Sequence, residues 1–203
     1  MKKLPIVAVL ALALAGCTGA GKQPASQSSS ADTYRVVLDT SEGLVIIDVD
    51  RRLAPNGARR FYELVKGKYF DGARFYRVVP GFVVQWGAAA DPALTKKWDV
   101  PIPDDPVKAS NTRGTVAFAA TEQPNSRTTH LFINLGDNAK LDAMGFAPIG
   151  RVGSGMQVVG RIYSGYGEQP DQSLIAAQGN AYLEKEFPRL DYIKSARIVS
   201  ASR

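Results

Sequence analysis

The chain has 203 residues, 45% of them hydrophobic and 22% charged, and its 25 basic against 19 acidic side chains give a formal charge of +6. With one cysteine and one histidine, an intramolecular disulfide is impossible, and the ligand set of a zinc site is missing. The basic residues are scattered, Arg51-Arg52 and Arg59-Arg60 being the nearest to a run, which argues against a nucleic-acid partner.

The amino-terminal stretch sets the expected compartment. Lys2 and Lys3 precede an apolar run over residues 4–15, and Leu14-Ala15-Gly16-Cys17 follows. That is the layout of a secretory signal peptide, expected over residues 1–16. The run is well short of the roughly 20 residues that span a bilayer. Its LAGC ending resembles the bacterial lipoprotein box, and the resemblance implies that Cys17 receives the lipid. Several acyl chains would anchor the protein stably, since each buried methylene contributes about 0.8 kcal/mol. Thr18 stands where an aspartate would signal inner-membrane retention, so the outer membrane is favoured and the domain is expected to face the periplasm. Residues 17–33 read as the lipidated cysteine and a flexible tether, because Gly, Ser, Ala, Gln and Pro dominate them. One folded domain is then expected over residues 34–203. Loss of Lys2 and Lys3 with the signal leaves 23 basic side chains against 19 acidic, about +4. A monomer is expected.

From residue 34 the pattern is mainly that of strands. Residues 34–39 (YRVVLD) and 44–49 (LVIIDV) are strand-like, with Ser41-Glu42-Gly43 as the turn between them. Residues 54–66 read as a helix that has Pro55 in its first turn, Phe61, Leu64 and Val65 on one stripe, and Gly67 closing it. A strand, a Pro80-Gly81 turn and a second strand occupy residues 75–87. Residues 115–119, 130–135, 147–152 and 193–200 are further strands, and Ser154 is expected to cap a short helix over residues 156–162. Two long segments lie between them. Residues 88–111, proline-rich and polar, read as an ordered loop over one rim, whereas residues 163–187 hold Gly165-Tyr166-Gly167 and a helix-like stretch at 178–187. Loops of this length are usually functional or disordered. Seven or eight strands with two helices suggest a mainly β fold, a closed barrel (eight-stranded at the fuller count) capped by two helices with extra loop and helix insertions.

Residues 75–87, FYRVVPGFVVQWG, carry the most information. Period-two spacing places Phe75, Arg77 and Val79 on one face, and Val83 with Gln85. An arginine and a glutamine among apolar neighbours suit a concave apolar site with a few fixed polar groups. The stretch resembles the signature of the cyclophilins, peptidyl-prolyl cis–trans isomerases whose motif runs Phe-x-Arg-ϕ-ϕ-Pro-Gly-Phe-ϕ-x-Gln-x-Gly, with ϕ apolar. Phe75, Arg77, Pro80, Gly81, Phe82, Gln85 and Gly87 all match it.

Two further blocks extend the resemblance. Ala120-Thr121-Glu122-Gln123-Pro124-Asn125 and Thr129-His130-Leu131-Phe132-Ile133 follow the family's second block, with Thr121 in place of an asparagine and His130 in place of a glutamine. Leu141 and Asp142 match the third block, where Lys140 stands for a tryptophan and Phe146 falls near the place of the pocket histidine. These departures imply weak cyclosporin binding and altered specificity. His130 either makes the hydrogen bonds of the glutamine or acts as a pH-dependent substrate contact. Leu141 and Phe146 are equally readable as ordinary core residues.

The resemblance implies catalysis by Arg77, Phe82, Gln85 and Phe132, with Val83, Ala120, Thr121, His130, Leu141 and Phe146 binding substrate. Phe132 floors the proline pocket, Gln85 holds Arg77 or the substrate carbonyl, and the backbone at Thr121 pairs with the peptide. No cofactor or metal is implied, because no bond is broken. A Ser-His-Asp hydrolase has no support, since no serine sits in a G-x-S-x-G elbow. The expected function is isomerisation of Xaa-Pro bonds in exported proteins. The alternatives are a catalytically weak proline-peptide-binding module or chaperone-like scaffold, and an envelope protein that only reuses the fold.

Overall fold

A computed structural model describes residues 32–199. The expected signal peptide at 1–16, Cys17 and all of the tether up to residue 31 lie outside the described residues. Among the described residues, no helix is long and apolar enough to cross a membrane.

Strands β1 (Thr33–Thr40) and β2 (Gly43–Asp50) form the first hairpin, paired from Thr33↔Asp50 to Thr40↔Gly43. Alternation buries Tyr34, Val36 and Leu38 on β1 and Val45, Ile47 and Val49 on β2, which is what a sheet covered on one face requires. Helix α1 (Pro55–Lys66) buries Phe61, Leu64 and Val65 in the same core. Its N-cap residue, Ala54, has no side chain to offer. The orphan amides of Asn56 and Gly57 donate instead to the Asp105 carboxylate, at 3.1 and 2.8 Å. A residue some fifty positions away thus does the capping work that Ser, Thr or Asp usually do locally.

The remaining elements are β3 (Arg77–Val79), β4 (Val83–Trp86), α2 (Pro92–Trp98), β5 (Thr115–Phe118), β6 (Leu131–Asn134), α3 (Lys140–Ala143), β7 (Pro148–Ser154), α4 (Met156–Val159), α5 (Gln172–Gln178), α6 (Asn180–Glu186) and β8 (Ile193–Val199). All eight strands belong to one antiparallel sheet in the order β3-β4-β6-β5-β7-β2-β1-β8. The sheet curls around a core in which Phe61, Tyr69, Phe70, Phe75, Trp86 and Phe118 are among the largest fully buried side chains.

Several expectations are met only in part or need correction. The paired strands do not run round a full ring, because β3 and β8 are the two ends of the sheet. The segments leading into them are joined by backbone hydrogen bonds, Gly72 N to Ile193 O at 2.7 Å, Phe75 N to Asp191 O at 2.9 Å and Ile193 N to Ala73 O at 2.8 Å. Among the described residues there are six helices, where two capping helices with further loop and helix insertions were expected. Segment 88–111 contains α2, whose Asp91 side chain accepts from Ala93 N at 2.8 Å while Pro92 opens the helix. Asp-Pro is a start signal, and it was legible. The helix expected over 178–187 is α6, beginning two residues later and preceded by a further short helix, α5; the two are separated at Gly179, whose φ of +57° and ψ of −137° suit glycine. Ser154 caps nothing. It ends β7, and Gly155 is the N-cap of α4, which stops at Val159 rather than 162.

Candidate active site

Strands β3, β4 and β6 have one face in the core and one outside it. On β4, Val84 and Trp86 point inward and Val83 and Gln85 outward; on β6, Leu131 and Ile133 point inward and Phe132 outward. Register then assembles the outer face. Arg77 lies opposite Gln85, Val79 opposite Val83, and Gln85 opposite Phe132. The turn between β3 and β4 is closed by a hydrogen bond from Phe82 N to Val79 O at 3.0 Å. This face opens into a cavity of about 510 Å³, the size of a small-ligand site.

All ten residues picked from the sequence line that cavity: Arg77, Phe82, Val83, Gln85, Ala120, Thr121, His130, Phe132, Leu141 and Phe146. Val83, Ala117, Phe132 and Leu141 form an apolar cluster separate from the core, with Phe82, Ala119 and Phe146 against it. Phe132 and Phe146 meet edge to face at 5.7 Å. Leu141 and Phe146 therefore belong to the pocket wall and not to the main core. Lys140, the substitute for tryptophan, sets its ammonium 5.1 Å from the Phe82 ring centre.

One expected grouping is wrong. Phe75 does not share a face with Arg77 and Val79. Its ring lies 6.0 Å from that of Trp86 in the core, to which Val78 also belongs. Residues 75 and 76 precede the strand, so the period of two does not extend through them.

The polar side of the pocket is a connected chain. Arg77 Nη1 donates to Gln85 Oε1 at 3.0 Å, and Gln85 Nε2 donates to the Tyr76 hydroxyl at 2.9 Å. Tyr76 Oη lies 2.7 Å from His130 Nδ1. In the neutral tautomer whose Nδ1 carries no proton, the Tyr76 hydroxyl donates to His130 while its oxygen accepts from Gln85. Burial also pushes the His130 pKa below its ordinary 6.5, with Asp99 opposing the shift. Burial raises the Tyr76 hydroxyl well above its usual range, so it stays protonated. His130 thus joins the chain through Tyr76, and Gln85 is committed to Arg77 and Tyr76.

Buried polar groups hold the walls. Asn138 Nδ2 donates to Phe82 O at 2.9 Å, and Asn111 Nδ2 donates to Phe146 O at 2.8 Å. Asp142, matched in the third block, accepts from Ser110 Oγ and Asn111 N and is structural. Arg127, 7% exposed, pairs with Asp104, donates to Gly145 O and faces the Phe146 ring. Thr121 N donates to Ser126 Oγ at 3.0 Å, which leaves the carbonyl of Thr121, not its amide, for a bound peptide. Gly87 has φ +136°, and a Cβ there would lie 2.3 Å from His130 Cα. Only glycine lets the chain leave β4 so close to His130, the residue just before β6.

Sequence reasoning passed over Tyr76, Asp99, Ala119, Met144, Gln172 and Glu168. The first is a core-type aromatic by pattern. Glu168 donates no pattern at all, yet its Oε1 accepts from Arg77 Nε at 2.6 Å across ninety-one positions of chain. Among the described residues, no cluster of three or more His, Cys, Asp or Glu side chains is placed to hold a metal ion.

Comparison with known proteins agrees with this geometry. Residues 35–178 match the family model described as cyclophilin type peptidyl-prolyl cis-trans isomerase/CLD. Peptidyl-prolyl cis-trans isomerase A of Dickeya dadantii is 35% identical over 132 residues, covering 63% of this chain and 70% of that protein. Peptidyl-prolyl cis-trans isomerase B of Escherichia coli is 28% identical over 173 residues, covering 81% and 99%. In fold, the chain is similar to a Cryptosporidium parvum cyclophilin (TM-score 0.64, 19% identity, 84% of this chain and 99% of that one) and to a cyclophilin from Hirschia baltica (TM-score 0.63, 19% identity, 85% and 79%). Signature, sheet and pocket converge with these relatives, and the chain belongs to the cyclophilin-type peptidyl-prolyl cis–trans isomerases.

Proposed function

We propose that this isomerase acts on Xaa-Pro bonds of exported polypeptides from a lipid anchor at Cys17, facing the periplasm, and that Arg77 is its central catalytic group. Rotation about a prolyl peptide bond faces a barrier of about 20 kcal/mol, set by amide resonance. No bond breaks, so the site needs neither nucleophile nor metal. It has to hold the proline and favour the twisted state.

The observation that carries the reading is Arg77, held by Gln85 beside an apolar floor of Val83, Phe132 and Leu141. A proline ring would bury its methylenes on that floor, under Phe82 and Phe146. As the bond twists, resonance is lost and the prolyl nitrogen becomes pyramidal with a free lone pair. An N–H of Arg77 can donate to that lone pair only then, so the interaction favours the transition state over the planar ground state. In a water-poor pocket a charged hydrogen bond of this kind is strengthened. The Thr121 carbonyl would pair with the peptide backbone. Full closure of the sheet into a barrel belongs to the same reading, supported by the backbone hydrogen bonds between residues 72–75 and 191–193.

The test is an isomerase assay of the full chain on a panel of Xaa-Pro peptides, beside Arg77→Ala. Catalysis that disappears with Arg77 is the expected result, whereas an Arg77→Ala protein as fast as the parent removes Arg77 from the mechanism. For the anchor, fatty-acid labelling in cells should mark the parent and not Cys17→Ala, and the variant should leave the membrane fraction.

A further inference from the structure

Segment 163–187 reaches the pocket. Its Tyr166, Ile175, Tyr182, Leu183 and Phe187 form a small apolar cluster with Tyr76, the residue just before Arg77. The segment also covers the free edge of β3, where Val78 N donates to Gly167 O at 3.1 Å. The next residue, Glu168, takes Arg77 Nε at 2.6 Å and Nη2 at 2.5 Å on a single carboxylate oxygen. Adjacent residues of the insert thus grip adjacent residues of the strand, one through backbone and one through charge.

We propose that Glu168 is a positioning residue for Arg77, and that segment 163–187 serves to deliver it. The guanidinium has five N–H groups in a rigid fork. Glu168 accepts from Nε and lies in ion-pair contact with Nη2, and Gln85 occupies one hydrogen of Nη1. At least one N–H on each terminal nitrogen is left for the substrate. Two anchors on different edges of a planar group stop it from rotating, whereas Gln85 alone would leave it free to pivot on one bond. An arginine side chain held this way has lost its rotamer freedom before substrate arrives, which is the condition for fast transfer of a hydrogen bond to a fleeting lone pair. The Glu168 side chain is 61% exposed, so the pair has little value for folding, and its removal acts on the arginine and not on the fold.

The inference rests on the role of Arg77 and is tested separately from it. Glu168→Ala, Glu168→Gln, Arg77→Ala and Glu184→Gln are compared in the full chain on one Xaa-Pro peptide, with kcat and KM resolved and melting temperature recorded. Glu184 lies in the same segment and pairs with Arg74, away from the pocket, so its variant controls for disturbance of the insert. Positioning predicts about a tenfold loss of kcat in Glu168→Ala with KM nearly unchanged. Glu168→Gln, which keeps an acceptor, should recover part of that loss, and Glu184→Gln should match the parent. A Glu168→Ala protein with unchanged or raised kcat, or a loss confined to KM, overturns the proposal. So does an equal loss in Glu184→Gln. If Arg77→Ala is inactive while Glu168→Ala matches the parent, only this inference falls; if Arg77→Ala is itself fully active, the catalytic reading of Arg77 falls with it.

Discussion

The inner and outer faces of β3, β4 and β6 are built from the same thirty ångströms or so of chain, yet they have opposite characters. Inside, Val78, Val84, Trp86, Leu131 and Ile133 are no more than 3% exposed and pack with Phe70 and Phe75. Outside, Arg77, Val83, Gln85, His130 and Phe132 surround an open cavity. One residue of slip would exchange the two sets. The inner face is filled, so its side chains act through stability. The outer face is left unfilled, and what would be a packing defect in a core is here the place for a ligand. Polar groups are tolerated there because each finds a fixed partner, as Arg77, Gln85, Tyr76 and His130 do in one chain.

The sharpest way to break this contrast is to exchange the two kinds of damage. Phe75→Ala on the inner side should cost about 3–5 kcal/mol of stability, read by denaturant unfolding, while the folded fraction keeps its kcat. Arg77→Ala should do the reverse, lowering kcat/KM about 10²- to 10³-fold with stability within about 1 kcal/mol of the parent. If Arg77→Ala unfolds the protein as Phe75→Ala does, the division between the faces is wrong.

Tyr76→Phe sits on the boundary. It removes the hydroxyl that links Gln85 to His130 and leaves the buried Gln85 amide short of a partner, so a loss of about 1–3 kcal/mol is expected. Activity should fall too, because Gln85 loses the partner that orients it toward Arg77. Unfolding and turnover measured on one preparation check both.

The smallest effect is in pH. The folded pKa of His130 lies below 6.5 because burial disfavours the imidazolium. The unfolded chain therefore binds the proton first as pH falls, and stability declines below about pH 6.5 until the folded pKa is passed. Above that window the contribution is fully present. His130→Gln should flatten the profile between neutral pH and about pH 5, as melting temperature against pH would reveal; an unchanged slope assigns it to other groups.

Much of the site could be seen in the chain before any folding, because its signals are local. Pro80-Gly81 marks the turn, and β-branched residues on either side mark strands whose alternation sorts Val83 and Gln85 from Val84 and Trp86. Phe75 was misplaced because alternation was extended past the end of β3. The Asp91-Pro92 start of α2 was passed over in favour of the proline-rich composition around it. The helix break at Gly179 was one residue inside the stretch read as continuous.

The amino-acid sequence by itself determined the strand and turn order and, within the strands, the sorting of residues to two faces, because these follow from spacing within a few residues; the ten side chains of the pocket were named by the resemblance to the cyclophilin motifs and not by spacing. Only the tertiary structure decided that Asp105 caps α1, that Tyr76 joins Gln85 to His130, and that Glu168 reaches Arg77. Each of those contacts joins parts of the chain that no short-range pattern connects, or turns on where a hydroxyl points, and both are settled only when the sheet curls and the insert docks on its edge.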